Sequence, residues 1–331
     1  IFEEFDQSIL DLLYQIPNTP NELVPSGKSE NDNEIIFSTE IDGLKNENLL
    51  PHWELCQKYD LIDFELGVKV TGAGFPIYKG KGAILQRALI QFFLNEGNKN
   101  GYQELSVPHL VNESSGYGTG QLPDKEGMMY HSTIDDLYLI PTAEVPITNI
   151  YRDVILEEKD LPIKHVGYTP CFRREAGSYG KDVRGLNRLH QFDKVEIVQI
   201  TKPSESYQTL GHMVAYVESL IKKLDLPYRK LRLCGGDLGF TAALTYDLET
   251  YSIGQDKWLE VSSISNFETF QSNRLKLRYR TQDKSIDLAH TLNGSALALP
   301  RIMASLLEIN QNADGINIPE VLRPFTGFDS I

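Results

Sequence analysis

Apolar residues recur at three- and four-residue spacing in several segments of the chain, and this spacing predicts amphipathic helices. The first segment covers residues 1–16, and Pro17 ends it. A second covers residues 83–94, where apolar side chains occupy a wide arc. We expect this helix to be buried against a large surface, such as another subunit. Two further helices are predicted at 204–224 and 295–307.

Short runs rich in β-branched and aromatic residues predict strands between these helices. They lie at 35–37, 104–107, 137–140, 166–170, 194–200, 244–249 and 258–261. Most runs follow one another through loops and hairpins, whereas strict alternation with helices is typical of a parallel sheet. The pattern therefore predicts an α+β fold with a mainly antiparallel sheet flanked by helices.

The length of the chain and the changes in its composition predict its domain organisation. Its 331 residues correspond to about two domains, or to one large domain with an appendage. Residues 18–50 are polar and acidic, as is typical of a linker between a first helix, 1–17, and a dense globular region, 51–331. The 41% apolar and 24% charged residues exclude a disordered or fibrous chain.

The start of the sequence and the spacing of its cysteines indicate the cellular compartment of the protein. The sequence begins Ile-Phe-Glu-Glu, without an initiator Met and without the basic and apolar regions of a secretory signal. Its three cysteines are far apart and do not suggest a disulfide framework. No uncharged apolar run approaches the ~20 residues that a membrane-spanning helix needs. We expect a cytoplasmic protein with no membrane span, longer than this chain.

The net charge of −14 argues against a long nucleic acid as partner, but the charge is unevenly distributed. Residues 1–50 carry 11 acidic and 2 basic side chains, which gives this segment a net charge of −9. Two stretches are basic: 164–194 has 7 basic against 3 acidic side chains, and 271–284 has 5 against 1. A small basic patch suits a triphosphate or one RNA end better than a long duplex. For 271–284, solvated surface charge is the commoner explanation.

The common glycine-rich phosphate loops do not fit the sequence. The segment ending Gly80-Lys81 has Phe75 where a P-loop begins with glycine. Two Gly-x-Gly pairs elsewhere lack the third glycine of the dinucleotide-binding fingerprint. If the chain binds ATP, arginine side chains must hold the phosphates.

One hairpin-like stretch brings charged and aromatic residues together. By two-residue alternation, Arg173 and Glu175 share a face of one strand. On the next strand Arg188, Phe192 and Glu196 share a face if no bulge intervenes. A surface hairpin with ion pairs is the alternative explanation of this pattern.

Four segments carry long and specific motifs. They are LIPTAE at 139–144, CFRREAGSYG at 171–180 continued by HQFDKVE at 190–196, EVSSISNF at 260–267, and HTLNGS at 290–295 followed by Arg301. In this order they resemble the motifs of class II aminoacyl-tRNA synthetases, and in detail those of the seryl-tRNA synthetases. The similarity runs from about Pro51 to the C-terminus. The helix at 83–94 with Pro108 resembles the family's first motif, which builds its dimer interface.

The resemblance implies a class II catalytic domain and an activity. The family activates L-serine with ATP and Mg²⁺ to seryl-adenylate, and transfers the seryl group to tRNA(Ser) and often to tRNA(Sec). It works as a homodimer. A helical arm grips the long variable arm of its tRNA, so the resemblance implies that 1–17 is the stump of that arm, 18–50 an acidic linker and 51–331 the catalytic domain.

The resemblance also implies the site residues. The catalytic residues are Arg173 and Arg301. The serine-binding residues are Thr142, Ala143, Glu144, Glu196, Asn293 and Ser295. The ATP-binding residues are Arg173, Arg174, Glu175, Phe192, Glu260, Val261, Ser262, Ser263 and Arg301. The magnesium ligands are Glu260 and Ser263.

For the nucleotide, the resemblance assigns a role to each matching side chain. Arg173 matches the arginine on the α-phosphate and Arg301 the one on the γ-phosphate. One preorganised donor at such a position is worth about 3–4 kcal/mol in the transition state. Glu175 matches the carboxylate that recognises adenine, and Phe192 matches the ring that stacks on it.

The magnesium ligands raise a geometric question. Strict alternation would place Ser262, and not Ser263, beside Glu260. We therefore expect the strand to end or to bulge at this point.

For serine, Glu144 matches the partner of the ammonium, and Glu196 with Ser295 the partners of the hydroxyl. A site built to hydrogen-bond a hydroxyl can reject an analogue without it by roughly 10⁴–10⁵-fold.

The last motif departs from the family pattern at two positions. Ala296 stands where many class II members have glycine, and Pro300 precedes Arg301.

Two alternatives remain at this point. An armless homologue would charge a carrier protein with serine or another small amino acid, although such homologues resemble a zinc-using branch and this sequence lacks suitable cysteine clusters. A catalytically dead binding module would keep the fold without turnover, although such a module usually loses its arginines and acidic residues first.

Overall fold

The computed structural model describes residues 2–41, 43, 49–175 and 184–331. Its helices are α1 (Phe2–Leu13), α2 (His52–Lys58), α3 (Phe64–Val70), α4 (Gly80–Lys99), α5 (Glu113–Thr119), α6 (Glu144–Asn149), α7 (Ser206–Lys223), α8 (Phe270–Leu275), α9 (Leu299–Ile309) and α10 (Arg323–Thr326). Its strands are β1 (Glu34–Ser38), β2 (Ile62–Asp63), β3 (Ile77–Tyr78), β4 (Gln103–Glu104), β5 (Leu110–Val111), β6 (His131–Ser132), β7 (Leu137–Leu139), β8 (Ile155–Glu157), β9 (Ile163–Phe172), β10 (Gln191–Thr201), β11 (Tyr228–Arg232), β12 (Leu244–Ser252), β13 (Lys257–Glu268), β14 (Arg278–Arg280), β15 (Ile286–Leu288) and β16 (His290–Ala298).

Half of these strands form one large sheet in the order β1-β11-β12-β13-β16-β10-β9-β4. Neighbouring strands pair antiparallel, apart from β4, which runs parallel to β9 at one edge. Three smaller sheets join β15-β14-β8, β2-β3 and β5-β7-β6. The predicted α+β fold with a mainly antiparallel sheet is confirmed.

The large sheet has an apolar face and a polar face, and β10 illustrates both. Val195 and Ile197 are fully buried in the main core, which also contains side chains of α4, α7 and α9. Lys194 and Glu196 alternate with them and lie on the opposite face. Full burial of one large aliphatic side chain contributes roughly 1.5–3 kcal/mol, so the apolar face holds the helices on the sheet. The polar face carries the candidate site.

The helix predicted at 83–94 is the middle of α4. Leu85, Leu89 and Phe93 are fully buried in the main core, so its apolar arc packs largely against the chain's own sheet. Near its end the helix approaches β9 closely, because a Cβ on Gly97 would lie 3.1 Å from the side chain of Val166. A larger residue at this position would push the helix away from the strand.

Two predicted element boundaries are wrong. The helix predicted at 295–307 begins at Leu299, because the preceding residues form the central strand β16 between β10 and β13. The strands pack closely here, because a Cβ on Gly294 would lie 3.0 Å from Ile264. The strand predicted at 104–107 is only the short edge strand β4, which pairs on one side.

The N-terminal segment is attached to the large sheet. The side-chain amide of Asn18 donates to the carbonyls of Thr241 and Phe267, both at 2.9 Å. The strand predicted at 35–37 is confirmed as β1, which pairs with β11 at the sheet edge. The polar segment 18–50 therefore contributes a strand to the large sheet, while the division into three parts stays a prediction.

The three cysteines, Cys56, Cys171 and Cys234, are buried and free. Of the helices that the structure describes, none has the length and apolarity needed to cross a membrane.

Gly120, from one of the Gly-x-Gly pairs, follows α5 with a φ of 86°, so it ends a helix in the left-handed conformation that glycine favours.

Candidate active site

An open cavity of about 740 Å³ lies over the polar face of the large sheet. Strands β10, β12, β13 and β16 form its floor, and residues from the stretches 120–129, 173–175, 186–189 and 239–242 form its rim. Its size is within the range of small-molecule sites.

Most of the sequence-predicted site residues line this cavity. They are Thr142, Glu144, Arg173, Glu175, Phe192, Glu196, Glu260, Val261, Ser263, Asn293, Ser295 and Arg301. Segments far apart in sequence therefore converge, as the motifs predicted.

Three of the predicted residues do not line the cavity. Ala143 is fully buried in a small cluster with Ile147. Arg174 is exposed, and its guanidinium lies 6.0 Å from the ring centre of Tyr130. Ser262 is buried on the other side of β13, where its hydroxyl donates to the Ser295 carbonyl at 2.6 Å. The Ala143 and Ser262 side chains are packed inside the fold and the Arg174 side chain is exposed, so their assignment to the site stays a prediction.

Two buried carboxylates form the acidic end of the cavity. The Asn293 amide bridges them, because its Nδ2 lies 2.9 Å from Glu144 Oε2 and 2.9 Å from Glu196 Oε1. Both glutamates are nearly inaccessible to solvent, at 5% and 0% exposure. An unpaired buried carboxylate is costly, so this end of the cavity is built to receive a positive or hydrogen-donating group.

Two residues that sequence reasoning did not assign complete this end. Lys194 Nζ lies 2.7 Å from Glu196 Oε2 and donates to the Thr142 hydroxyl at 2.9 Å. Gln271 Nε2 donates to Glu144 Oε1 at 2.6 Å. Lys194 could have been found, since it shares a strand face with Glu196 by alternation. No local signal marks Gln271.

The charges around Glu144 shift its ionisation. Burial raises the pKa of Glu144 to about 7, and the neighbouring Glu196 carboxylate acts in the same direction. The Gln271 amide, Lys194 and Arg173 oppose this shift. Glu144 therefore changes charge near neutral pH, within reach of any ligand in the cavity.

Arg173 forms the cationic part of the wall. It directly follows β9, and its backbone N–H donates to the His190 carbonyl at 2.9 Å, which continues the hairpin by one residue. Its guanidinium lies 5.2 Å from the ring centre of Phe192, and Nε donates to the Pro141 carbonyl at 3.4 Å. The ring and the carbonyl hold the guanidinium at the cavity wall.

The predicted alternation along this hairpin holds only in part. Phe192 and Glu196 share a face of β10, as expected. Glu175 lies beyond the end of β9 with a φ of 47°, and Arg188 precedes β10. The two still meet, because Arg188 Nη1 donates to Glu175 Oε2 at 3.1 Å. The connection at 176–183 lies outside the described residues.

The two departures from the family pattern leave Arg301 in the cavity wall. Ala296 is fully buried in the main core. Pro300 lies in the first turn of α9, where its missing N–H breaks no helical bond. Arg301 donates from Nε to the Asn187 carbonyl at 3.0 Å and from Nη1 to the Glu260 carbonyl at 2.7 Å. Two backbone acceptors thus orient this guanidinium.

Glu260 and Ser263, the predicted magnesium ligands, both line the cavity because β13 contains a bulge. The register between β12 and β13 shifts here, and Val261 is the extra residue. The bulge changes the alternation by one, so residues 260 and 263 reach the same face. The predicted break in alternation is confirmed.

Asp247, which sequence analysis did not assign, lies beside this pair on β12. Its side chain is buried, and its Oδ1 finds no hydrogen-bond partner among the described residues. Burial and the Glu260 carboxylate raise the pKa of Asp247 well above its ordinary value, against a hydrogen bond from Ser263. Carboxylate and hydroxyl oxygens are the donors that Mg²⁺ prefers, so the residues present fit this cation.

Comparison with known proteins gives the family. The model of the class II tRNA synthetase core domain (G, H, P, S and T) matches residues 130–310. The serine–tRNA ligase of Salinibacter ruber is 54% identical over 97% of this chain and 76% of its own length. The serine–tRNA ligase of Methylacidiphilum infernorum is 50% identical over 97% of this chain and 77% of its own length.

Solved structures agree with these relatives. The crystal structure of seryl-tRNA synthetase from Pyrococcus horikoshii, complexed with ATP, matches with a TM-score of 0.95 at 36% identity, over 99% of this chain and 78% of that one. The cytoplasmic serine–tRNA ligase of Naegleria fowleri, in complex with AMP, matches with a TM-score of 0.92 at 29% identity, over 99% of this chain and 79% of that one.

These matches decide between the alternatives left open by the sequence. The relatives are ligases that act on tRNA, and a homologue that charges a carrier protein finds no support among them. The motif residues converge on one cavity with their charged groups intact. The chain therefore belongs to the serine–tRNA ligase family of class II aminoacyl-tRNA synthetases.

Proposed function

We propose that this cavity forms seryl-adenylate from ATP and L-serine and then transfers the seryl group to tRNA(Ser). The observation that carries the proposal is that two buried carboxylates, Glu144 and Glu196, share one cavity with Arg173 and Arg301. The carboxylates suit the ammonium and hydroxyl of serine, and the arginines suit a polyphosphate.

The first step replaces one bond at phosphorus with another. A carboxylate oxygen of serine attacks the α-phosphorus of ATP, and the bond from phosphorus to the bridging oxygen breaks, so that pyrophosphate leaves with the electron pair. The carboxylate is already ionised, so the step needs no general base. Arg173 stabilises the charge that develops on the α-phosphoryl oxygens. In the second step, a terminal hydroxyl oxygen of the tRNA bonds to the seryl carbonyl carbon, and the bond from that carbon to the phosphate oxygen breaks. AMP leaves with the electron pair, and its phosphate takes up the hydroxyl proton.

Serine is selected at the acidic end. The Glu144 carboxylate pairs with the ammonium, and the Glu196 carboxylate accepts a hydrogen bond from the side-chain hydroxyl of serine. Lys194 and Asn293 already hold Glu196 in place, so little reorganisation is needed on binding. Alanine would leave Glu196 without this hydrogen bond, and a buried polar group without its partner is costly.

The nucleotide occupies the other end. The Phe192 ring offers a flat apolar surface for adenine, next to the Arg173 guanidinium. Glu175 is held by Arg188 and has acceptor capacity left for the adenine amino group. Arg301 is held by backbone carbonyls and binds the terminal phosphate.

Magnesium would be held by Glu260 and Ser263, with Asp247 beside them. When bound, the cation would neutralise charge on the phosphates of ATP. Arg301 Nη1 lies 3.8 Å from Glu260 Oε2, which is an ion-pair distance too long for a hydrogen bond, so the carboxylate keeps its coordinating capacity.

Serine-dependent exchange of pyrophosphate into ATP tests the first step. We expect exchange with serine at saturating ATP and magnesium, and a kcat/KM for alanine that is roughly 10⁴–10⁵-fold lower. Charging of tRNA(Ser), tRNA(Sec) and carrier proteins with the complete gene product tests the second step. We expect tRNA(Ser), but no carrier protein, to accept serine, and the tRNA(Sec) arm decides whether that tRNA is a second substrate. Absence of serine-dependent exchange would refute the proposal.

Serine binding should weaken as the pH falls through about 7. The ammonium pairs with the ionised form of Glu144, whose pKa burial raises to about 7. Protonation of the free enzyme therefore removes the binding form, and kcat/KM for serine should fall about tenfold per pH unit below 7 and level off above it. The pH profile of exchange checks this. A flat profile from pH 5.5 to 8 would contradict it, and Glu144→Gln should abolish the dependence together with most of the activity.

We also propose that the enzyme is a cytoplasmic homodimer whose residues 1–17 form the base of a tRNA-binding arm. In support, the chain just after α1 is attached to the rest of the fold: the Tyr14 ring lies 4.8 Å from that of Tyr117, and Arg274 donates to the Tyr14 carbonyl at 3.2 Å. Sedimentation velocity should give twice the chain mass of 37.4 kDa, and a monomer would contradict the dimer.

A further inference from the structure

Gln271 connects the serine-binding carboxylate to two other elements, although it does not line the cavity. It is the second residue of α8 and is 1% exposed. Its Nε2 donates to Glu144 Oε1 at 2.6 Å and to the Thr119 carbonyl at 3.2 Å. Its Oε1 accepts from the Thr291 hydroxyl at 2.7 Å. One side chain thus joins α5, α8 and β16 to the start of α6.

The orientation of this amide follows from its partners. The Glu144 carboxylate and the Thr119 carbonyl are both acceptors, so only the NH₂ end of Gln271 can face them. The amide oxygen is then turned to Thr291, which is fully buried and donates to it. A flip of the amide would set oxygen against two acceptors. Gln271 is therefore fixed as a donor to Glu144.

With this donor, both oxygens of the Glu144 carboxylate accept a hydrogen bond from a side-chain amide. One carboxylate oxygen accepts from Gln271 and the other from Asn293, so each has one fixed hydrogen bond and lone-pair capacity for a ligand. The neighbouring charged groups are Glu196 and Lys194 on β10 and Arg173 at the end of β9. Glu196 repels the charge on Glu144, and the two cations and the two amides stabilise it.

We propose that Gln271 is the positioning residue that keeps Glu144 charged and aimed at the α-ammonium, and so makes the site selective for substrates that carry one. This inference rests on the proposed function, since it takes an amino acid as the ligand of Glu144. Gln271 itself touches no substrate. It acts through the carboxylate.

The physical consequence is a change in proton affinity. A hydrogen bond to a charged group contributes more than a neutral one, and its loss leaves a buried carboxylate oxygen unpaired. In Gln271→Met, a residue of similar length without N–H groups stands at the same place. The midpoint of the serine kcat/KM profile should then move up by about one to two pH units.

The first experiment compares Gln271→Met with the wild type in serine-dependent pyrophosphate exchange from pH 6 to 9. At pH 7 we expect a roughly 5–50-fold higher KM for serine, while the KM for ATP and the kcat at saturating serine change less than about threefold. Raising the pH should restore much of the affinity of the variant for serine. A general loss of packing would not be rescued in this way.

The second variant is Thr291→Val, which keeps the shape of the side chain and removes the hydroxyl that fixes the amide. It should shift the profile in the same direction by a smaller amount. This variant keeps the proposal testable if Gln271→Met does not fold, which thermal unfolding will reveal.

A matched pair of ligands distinguishes a specific loss of ammonium recognition in Gln271→Met from a general loss of ligand binding. The probes are the non-hydrolysable sulfamoyl analogue of seryl-adenylate and the same molecule with hydroxyl in place of the α-amino group. Calorimetry should show that the wild type prefers the amino ligand and that Gln271→Met loses most of this preference, with little change for the hydroxy ligand.

The outcomes distinguish the two proposals. Equal weakening of both ligands, or an unshifted pH profile with an unchanged preference, would overturn the role of Gln271. Absence of serine-dependent exchange in the wild type would instead refute the proposed function.

Discussion

Arg173→Ala should lower the rate of seryl-adenylate formation by about 10²–10³-fold at saturating serine and ATP. The guanidinium stands at the cavity wall between the nucleotide surface on Phe192 and the acidic end. It stabilises charge that develops on the α-phosphoryl oxygens in the transition state, so the loss should fall on kcat. Single-turnover formation of the adenylate measures this step directly.

Arg184→Ala is the matched control. This arginine belongs to the same connection between β9 and β10, but its guanidinium lies 4.5 Å from the ring centre of Trp53, away from the cavity. Its removal should change the rate less than about threefold. A near-normal rate for Arg173→Ala would show that the assignment to the α-phosphate is wrong.

Glu196→Gln should lower kcat/KM for serine by about 10²-fold and that for alanine far less. A hydrogen bond to a charged group contributes ~1.5–3 kcal/mol, and in the variant serine has at most a weaker bond to a neutral amide, while alanine forms neither. The ratio of kcat/KM for serine to that for alanine, measured by pyrophosphate exchange, should therefore fall by a similar factor. An unchanged ratio would show that another group recognises the hydroxyl.

The control concerns Lys194, which Glu196→Gln leaves buried without its counter-charge. A lost partner in a buried pair can destabilise a protein by ~3–5 kcal/mol. The double variant Lys194→Met/Glu196→Gln removes both charges and should recover stability to thermal unfolding. It should keep the poor discrimination between serine and alanine, since the acceptor for the hydroxyl remains altered.

The sequence was sufficient to predict much of the site. Motif residues such as Glu144, Phe192 and Asn293 line one cavity. Each belongs to a sequence motif long and specific enough to be recognised without the structure. The break in alternation between Glu260 and Ser263 was also predictable, since both could reach a common face only through a bulge. In these cases local chemistry and local geometry pointed to the same structure.

Other features depend on tertiary contacts that no local pattern reveals. Residues 295–298 belong to the predicted helix, yet they continue the central strand β16 because β10 pairs with them. Glu175 and Arg188 meet across a connection, where strand alternation no longer applies. Gln271 belongs to a helix distant in sequence from the residue that it contacts.

A crystal structure with the non-hydrolysable seryl-adenylate analogue tests the central claim most directly. We expect the amine to lie within hydrogen-bond distance, about 2.7–3.2 Å, of Glu144, the side-chain hydroxyl to lie at the same distance from Glu196, and the sulfamoyl group to contact Arg173. A ligand bound elsewhere, with these three side chains facing solvent and remote from the adenosine, would contradict the account.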